Sequence, residues 1–197
     1  SSNTVAIKTI NTNGVKTAQY DIEWASNWTV NCMTDFDTNG VGDLVWQYSG
    51  GNVYAWLMNS DGTMRIGSSI YSGSTAWQVR GVGDLDTNGV PDLFWQYPTG
   101  QIWCWLMNAD NSIKRGFSIY GGTTTYRLAG VGDLDRDGVA DLFWQYPTGQ
   151  IWCWLMNSDG TVKRGFSVFA GTTIWQLRGA GEINRDGVTD LFWQLAT

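Results

Sequence analysis

The chain has no histidine. That absence removes Ser-His-Asp and Cys-His nucleophilic catalysis, and with them every His-ligated zinc or iron site. Cysteine is nearly as scarce, and three residues cannot pair completely within one chain. Cys104 and Cys153 hold the same place in two IWCWLMN segments, whereas Cys32 stands where Gly81, Gly130 and Gly179 stand elsewhere. All three read as free thiols buried as small hydrophobes. No uninterrupted apolar run reaches the length of a membrane span, and no basic and apolar leader opens the chain, so a soluble chain, mature or excised, is expected. Positive charge is also short. Twelve Lys and Arg stand against 18 Asp and Glu, giving a net charge of −6 without a basic cluster, which argues against a nucleic-acid partner.

What is present is repetition. The segment GDLDRDGVADLFWQY, residues 132 to 146, recurs in four versions at a fixed interval of 49 residues. Its frame D-x-D-x-D-G-x-x-D occupies Asp133 to Asp141, and it returns at Asp35 to Asp43, Asp84 to Asp92 and Glu182 to Asp190. Alternate side chains on a tight loop turn toward one point. Oxygens at positions 1, 3, 5 and 9, with the carbonyl of position 7, can therefore enclose a hard cation such as Ca²⁺. The ligand sets are Asp35, Asp37, Asn39, Val41 and Asp43; Asp84, Asp86, Asn88, Val90 and Asp92; Asp133, Asp135, Asp137, Val139 and Asp141; and Glu182, Asn184, Asp186, Val188 and Asp190. Glycine at position 6 (Gly40, Gly89, Gly138, Gly187) permits a positive φ there. An EF-hand is excluded, because the place of its bidentate Glu holds Trp46, Trp95, Trp144 and Trp193.

About four Ca²⁺ are expected. Glu182 and Asn184 make the fourth site the weakest, and the four acids of the third loop make it the tightest. Thirteen of the 18 acidic residues lie in these loops, so the apo chain should suffer self-repulsion that the metal relieves. Carboxylates committed to a metal are poor general acids. Of the remaining five, Asp21 and Glu23 lie near the first blade, and Asp61, Asp110 and Asp159 sit in turns where Asp serves its own backbone. The expectation is a chain that is not an enzyme.

A period of this length means a propeller, solenoid or array. In the unit from Trp77 to Tyr120, the runs WQVRGVG, DLFWQY, QIWCWLMN and SIKRGFSIY are strands by length, by aromatic and β-branched content and by their turn punctuation. Four strands joined by tight turns make a propeller blade. The N-terminal stretch TVAIKTINTNGVKTAQYDI aligns with the third and fourth strands of a unit, and the chain ends after a second strand. The expected fold is all-β: a four-bladed β-propeller with four-stranded antiparallel blades, its ring closed by pairing of the N- and C-terminal half blades. It forms a single domain over 1–197, with blades at approximately 23–71, 72–120, 121–169, and 170–197 completed by 1–22. Closure within one chain implies a monomer, and exchange of half blades would give a dimer. The 13 Trp are mostly periodic, and Trp103 and Trp105, two apart on a strand, are read as filling the wedge between blades.

The four (G/T)(D/E)(L/F/I)(D/N)xxGxxDL(V/F)WQ segments and the trailing WLMN(S/A)D resemble the FG-GAP/VCBS family of calcium-loop β-propeller repeats, which includes the integrin α-subunit head. The resemblance implies Ca²⁺ at each loop, an extracellular setting and binding rather than catalysis, although propellers of the family commonly have more blades than four. The extracellular setting sits uneasily with three free thiols. Among functions, carbohydrate binding is favoured. Sugar C–H faces stack on aromatic rings near Trp28, Trp77, Tyr126 and Trp175, each followed by a polar residue, and four repeats give multivalency toward a glycan or cell-surface ligand. A protein-binding adhesion or assembly module and a purely structural repeat unit are the alternatives.

Overall fold

A computed structural model of the chain describes residues 2–10, 16–25, 27–172, 174–184 and 186–195. These form 16 strands in two compact units. The first unit, Ser1–Thr75, holds the antiparallel pair β1 (Ser2–Ile10) and β2 (Lys16–Ala25). A four-stranded sheet follows in chain order: β3 (Trp28–Thr34), β4 (Asp43–Tyr48), β5 (Val53–Met58) and β6 (Met64–Tyr71). The second unit, Ala76–Thr197, holds two more such sheets. One is β7 (Gln78–Gly83), β8 (Asp92–Gln96), β9 (Ile102–Met107) and β10 (Ile113–Tyr120). The other is β11 (Arg127–Gly132), β12 (Asp141–Gln145), β13 (Ile151–Met156) and β14 (Val162–Phe169). The pair β15 (Trp175–Gly181) and β16 (Asp190–Leu195) ends the chain.

Every pairing is antiparallel between neighbours in sequence, the up-and-down order expected of blades. The pairs β1–β2 and β15–β16 each form a two-stranded sheet, so their union into one blade is a proposal rather than an observed sheet.

Burial follows strand position. β8 and β12, both DLFWQ, are buried at every residue, because both faces of the sheet are covered there. The last strands, β10 and β14, are largely exposed, in keeping with their Lys, Arg and Ser. One core of the second unit gathers Leu85, Phe94, Ile102, Cys104, Leu128, Leu142, Trp144 and Met156. A second gathers Phe143, Ile151, Cys153 and Leu177. The first unit has its own cluster of Leu44, Trp46, Trp56 and Met58.

Within the second unit β11 packs against both β7 and β15. Glycine permits the approach: a Cβ at Gly81 would fall 2.3 Å from Val131 Cγ2, and one at Gly130 would fall 2.8 Å from Ala180 Cβ. Buried glutamines lock successive sheets together. Gln96 donates from Nε2 to Tyr126 O (2.8 Å) and accepts from Leu128 N (3.1 Å), while Gln145 does the same with Trp175 O and Leu177 N, both at 2.9 Å. The acid-rich loops are also clasped in sequence, Ala140 N to Asp84 O at 2.8 Å and Thr189 N to Asp133 O at 3.1 Å. Pro91, which has no N–H, stands at the matching place in the second loop.

Cys104 and Cys153 are fully buried and Cys32 half-buried, all three as free thiols. Burial pushes the Cys32 and Cys153 thiols up to about 12. Trp105 and Trp154 are half-buried against Trp95 and Trp144. The wedge-filling expectation fails in part for their strand neighbours: Trp103 and Trp152 are 37% and 38% exposed. They lie at the end of the third strand away from the acidic loops, and Trp152 shares a pocket lining there with Tyr120 at the end of β10 and Tyr126 of the β10–β11 connection. No helix of the described residues is long and apolar enough to cross a membrane.

Candidate metal centres and an aromatic pocket

Each acidic loop is first a backbone device. The position-1 carboxylate accepts from the amides four and five residues on: Asn39 N (3.0 Å) and Gly40 N (2.7 Å) to Asp35, Asn88 N (3.1 Å) and Gly89 N (2.7 Å) to Asp84, Asp137 N (3.2 Å) and Gly138 N (2.9 Å) to Asp133. These bonds wrap the loop around its first residue. Gly40, Gly89, Gly138 and Gly187 adopt φ between 80° and 84°, as the sequence requires. Thr38, Thr87 and Arg136 share the left-handed region without being glycine.

The position-9 carboxylate ties the loop to its sheet. Asp43, Asp92 and Asp141 are fully buried. One oxygen of each accepts from the second loop residue (Phe36 N 2.9 Å, Leu85 N 2.8 Å, Leu134 N 2.8 Å). The other accepts from the end of the third strand (Met58 N 2.8 Å, Met107 N 2.8 Å, Met156 N 2.9 Å). Burial raises all three acids, outweighing these hydrogen bonds, and neighbouring carboxylates add to it. Asp92 and Asp141 are pushed up to about 6.

Positions 1, 3 and 9 converge. Asp35, Asp37 and Asp43, then Asp84, Asp86 and Asp92, then Asp133, Asp135 and Asp141 each bring one oxygen within 4.8 Å of the others. Asp37 Oδ1 and Asp86 Oδ1 are buried with no hydrogen-bond partner among the described residues. Orphaned carboxylate oxygens inside an all-oxygen donor set fit a hard divalent cation, which would supply the missing counter-charge.

Position 5 behaves differently. Asn39, Asn88, Asp137 and Asp186 each turn one oxygen onto the amide two residues on, at 2.7, 2.7, 2.9 and 2.8 Å. Val41, Val90, Val139 and Val188, the position-7 residues, supply those amides. The fourth loop forms no group of three acids among the described residues. Asn184 spends its oxygen on Asp186 N (2.9 Å), and Asp190 accepts from Ile183 N (2.9 Å). Arg136 of the third loop stands 3.9 Å from Asp186.

Sequence reasoning missed a cation at each described cluster. Arg65, Lys114 and Lys163 bridge Asp37, Asp86 and Asp135, and Lys163 also bridges Asp137. Their own spacing of 49 residues was the available signal. The turn acids are accounted for: Asp61, Asp110 and Asp159 each accept from the amide two residues on at 2.9 Å, and the hydroxyl and amide of that residue lower each carboxyl.

Of the four aromatic candidates, Trp28 and Trp77 are half-buried, with ring centroids 5.3 Å from Tyr48 and 5.2 Å from Tyr97. Trp175 is 47% exposed beside an open hollow with Thr148, Thr172 and Ile174. Tyr126, 4.3 Å from Tyr146, lines a pocket of about 190 Å³ with Tyr120, Thr124, Trp144, Trp152 and Trp154. Buried Trp144 Nε1 has no acceptor among the described residues.

Residues 35–95, 84–144 and 133–193 each match the family described as an FG-GAP-like repeat. Among curated proteins none matches the chain.

Proposed function

The chain belongs to the FG-GAP-like repeat family, and from that premise we propose that it is a calcium-braced, non-catalytic module that binds carbohydrate. The observation that carries the ligand class is the pocket at Tyr126. Five aromatic rings and one threonine line it, with no charged side chain, and it has room for a single sugar ring. A pyranose offers an apolar C–H face to such rings, and the lining residues Tyr120, Thr124 and Tyr126 carry hydroxyl groups able to pair with its own. Exposed Trp152 would stack on the sugar, and Tyr126 would contribute a second ring of the lining.

Ca²⁺ belongs in this reading as a brace. It would sit among the side chains of positions 1, 3, 5 and 9 and the position-7 carbonyl of the first three loops, and more weakly at Glu182, Asn184, Asp186, Val188 and Asp190. The half blades β1–β2 and β15–β16 would complete one another to close a four-bladed ring in a monomer, and the working environment would be extracellular.

A glycan array probed in CaCl₂ tests the ligand class. Binding by the wild-type chain, weakened at least about ten-fold by Trp152→Ala with an unchanged melting temperature, is the expected result; one aromatic ring stacked on a ligand supports a loss of that order. An array with no binding removes the carbohydrate reading, and a protein ligand that survives deglycosylation would replace it. Solution mass tests the ring, since a dimer would put half-blade exchange in place of closure within one chain.

A further inference from the structure

Each of the three four-stranded sheets carries a cation on its last strand, 28 residues beyond the third loop position. Arg65 on β6 bridges Asp37, Lys114 Nζ on β10 lies 2.5 Å from Asp86 Oδ2, and Lys163 Nζ on β14 lies 2.8 Å from both Asp135 and Asp137. The cationic side chains are 39%, 46% and 42% exposed, whereas Asp37 and Asp86 retain only 15% and 12%. The carboxylates are fixed by the loop, and their counter-ions reach in from solvent on long stems.

We propose that Arg65, Lys114 and Lys163 are built-in counter-ions that compete with the divalent cation for the position-3 carboxylate, so that each loop is an exchange site. The proposal rests on the reading of these loops as cation sites. One side-chain cation satisfies only part of the cluster, as the orphaned Oδ1 atoms of Asp37 and Asp86 show. A divalent ion would engage all three carboxylates, and it cannot share Asp86 with an ammonium 2.5 Å away without strong repulsion. The flexible side chain yields, because its head already borders water. In the third loop the extra carboxylate, Asp137, is held by Lys163, so that loop's advantage over the second is smaller than its charge implies.

Repulsion between a unit and a divalent charge 4 to 8 Å apart in a water-like medium corresponds to a change of about five- to thirty-fold in affinity. Calorimetric titration of the full chain with CaCl₂, beside melting curves in chelator and in calcium, reads it. Lys114→Met and Lys163→Met should each tighten one site by that factor, while Lys163→Arg stays within about two-fold of wild type, since it retains the charge. The Met variants should melt lower than wild type in chelator and gain more from calcium, a crossing that simple loss of a surface ion pair does not give. Binding in the Met variants but not in wild type would support the same competition in its strongest form. A wild type that binds calcium with affinity equal to or tighter than the Met variants overturns the competition and leaves the metal reading intact. No binding by any of these proteins overturns both.

Discussion

Replacing Asp92 by Asn separates the two tasks assigned to the buried position-9 carboxylate. Asp92 is fully buried, and its two oxygens accept from Leu85 N and Met107 N, both at 2.8 Å. Its carboxyl is raised from 3.8 to about 6, chiefly by burial and further by Asp86 and Asp84. At pH 7 and without metal, holding the group ionised therefore costs about 3 kcal/mol, at 1.36 kcal/mol per unit. Asn keeps the shape and one acceptor but turns an NH₂ toward the second backbone N–H. The lost charge-assisted hydrogen bond costs about 1.5–3 kcal/mol.

The gain equals or exceeds the loss, so in chelator Asp92→Asn should range from unchanged to about 1.5 kcal/mol more stable than wild type. That is at most about 3–6 °C in melting temperature for a chain of this size. In calcium the variant lacks one carboxylate ligand. At free calcium near 100 times Kd, a lost site forfeits about 2.7 kcal/mol, which would cut the calcium-induced rise in melting temperature by about 5–10 °C. Melting curves followed by tryptophan fluorescence in EDTA and in CaCl₂ measure both. An equal large loss in both media would show that Asp92 serves only as a backbone tie. A wild-type chain indifferent to EDTA would refute the metal premise.

The same buried acids set a pH dependence whose sign depends on calcium. With Asp92 and Asp141 raised to about 6 in the folded chain, the stability they contribute without metal is full below their ordinary value near 4 and is lost as pH rises through about 6. The chelated protein should melt higher at pH 5 than at pH 7 and the calcium-loaded protein lower, because protons displace the ion; melting scans that moved the same way in both media would contradict this. Gln145→Ala removes the clamp on Trp175 O and Leu177 N and leaves a buried N–H, so chemical denaturation should register a loss of about 1–3 kcal/mol. A loss below about 0.5 kcal/mol would mean that water replaces the amide.

What the sequence by itself determined is what depends on near neighbours. The strands, their tight turns and the 49-residue repeat are written in local pattern, and so is the positive φ at Gly40, Gly89, Gly138 and Gly187. The convergence of positions 1 and 3 was legible too, because a short loop leaves its alternate side chains little freedom. What the tertiary structure decided is which backbone amides the loop oxygens also serve and which residues arrive from far along the chain. Position 5 serves its own loop amide, Asp43, Asp92 and Asp141 also hold the end of the third strand, and Arg65, Lys114 and Lys163 reach the loops from the fourth. The pocket at Tyr126 needs rings from three strands and a connection, and no single stretch of sequence reveals that they leave a space. Hydrogen bonds and charges act over a few ångströms, so a side chain's final partner is fixed only when folding brings distant segments within that reach.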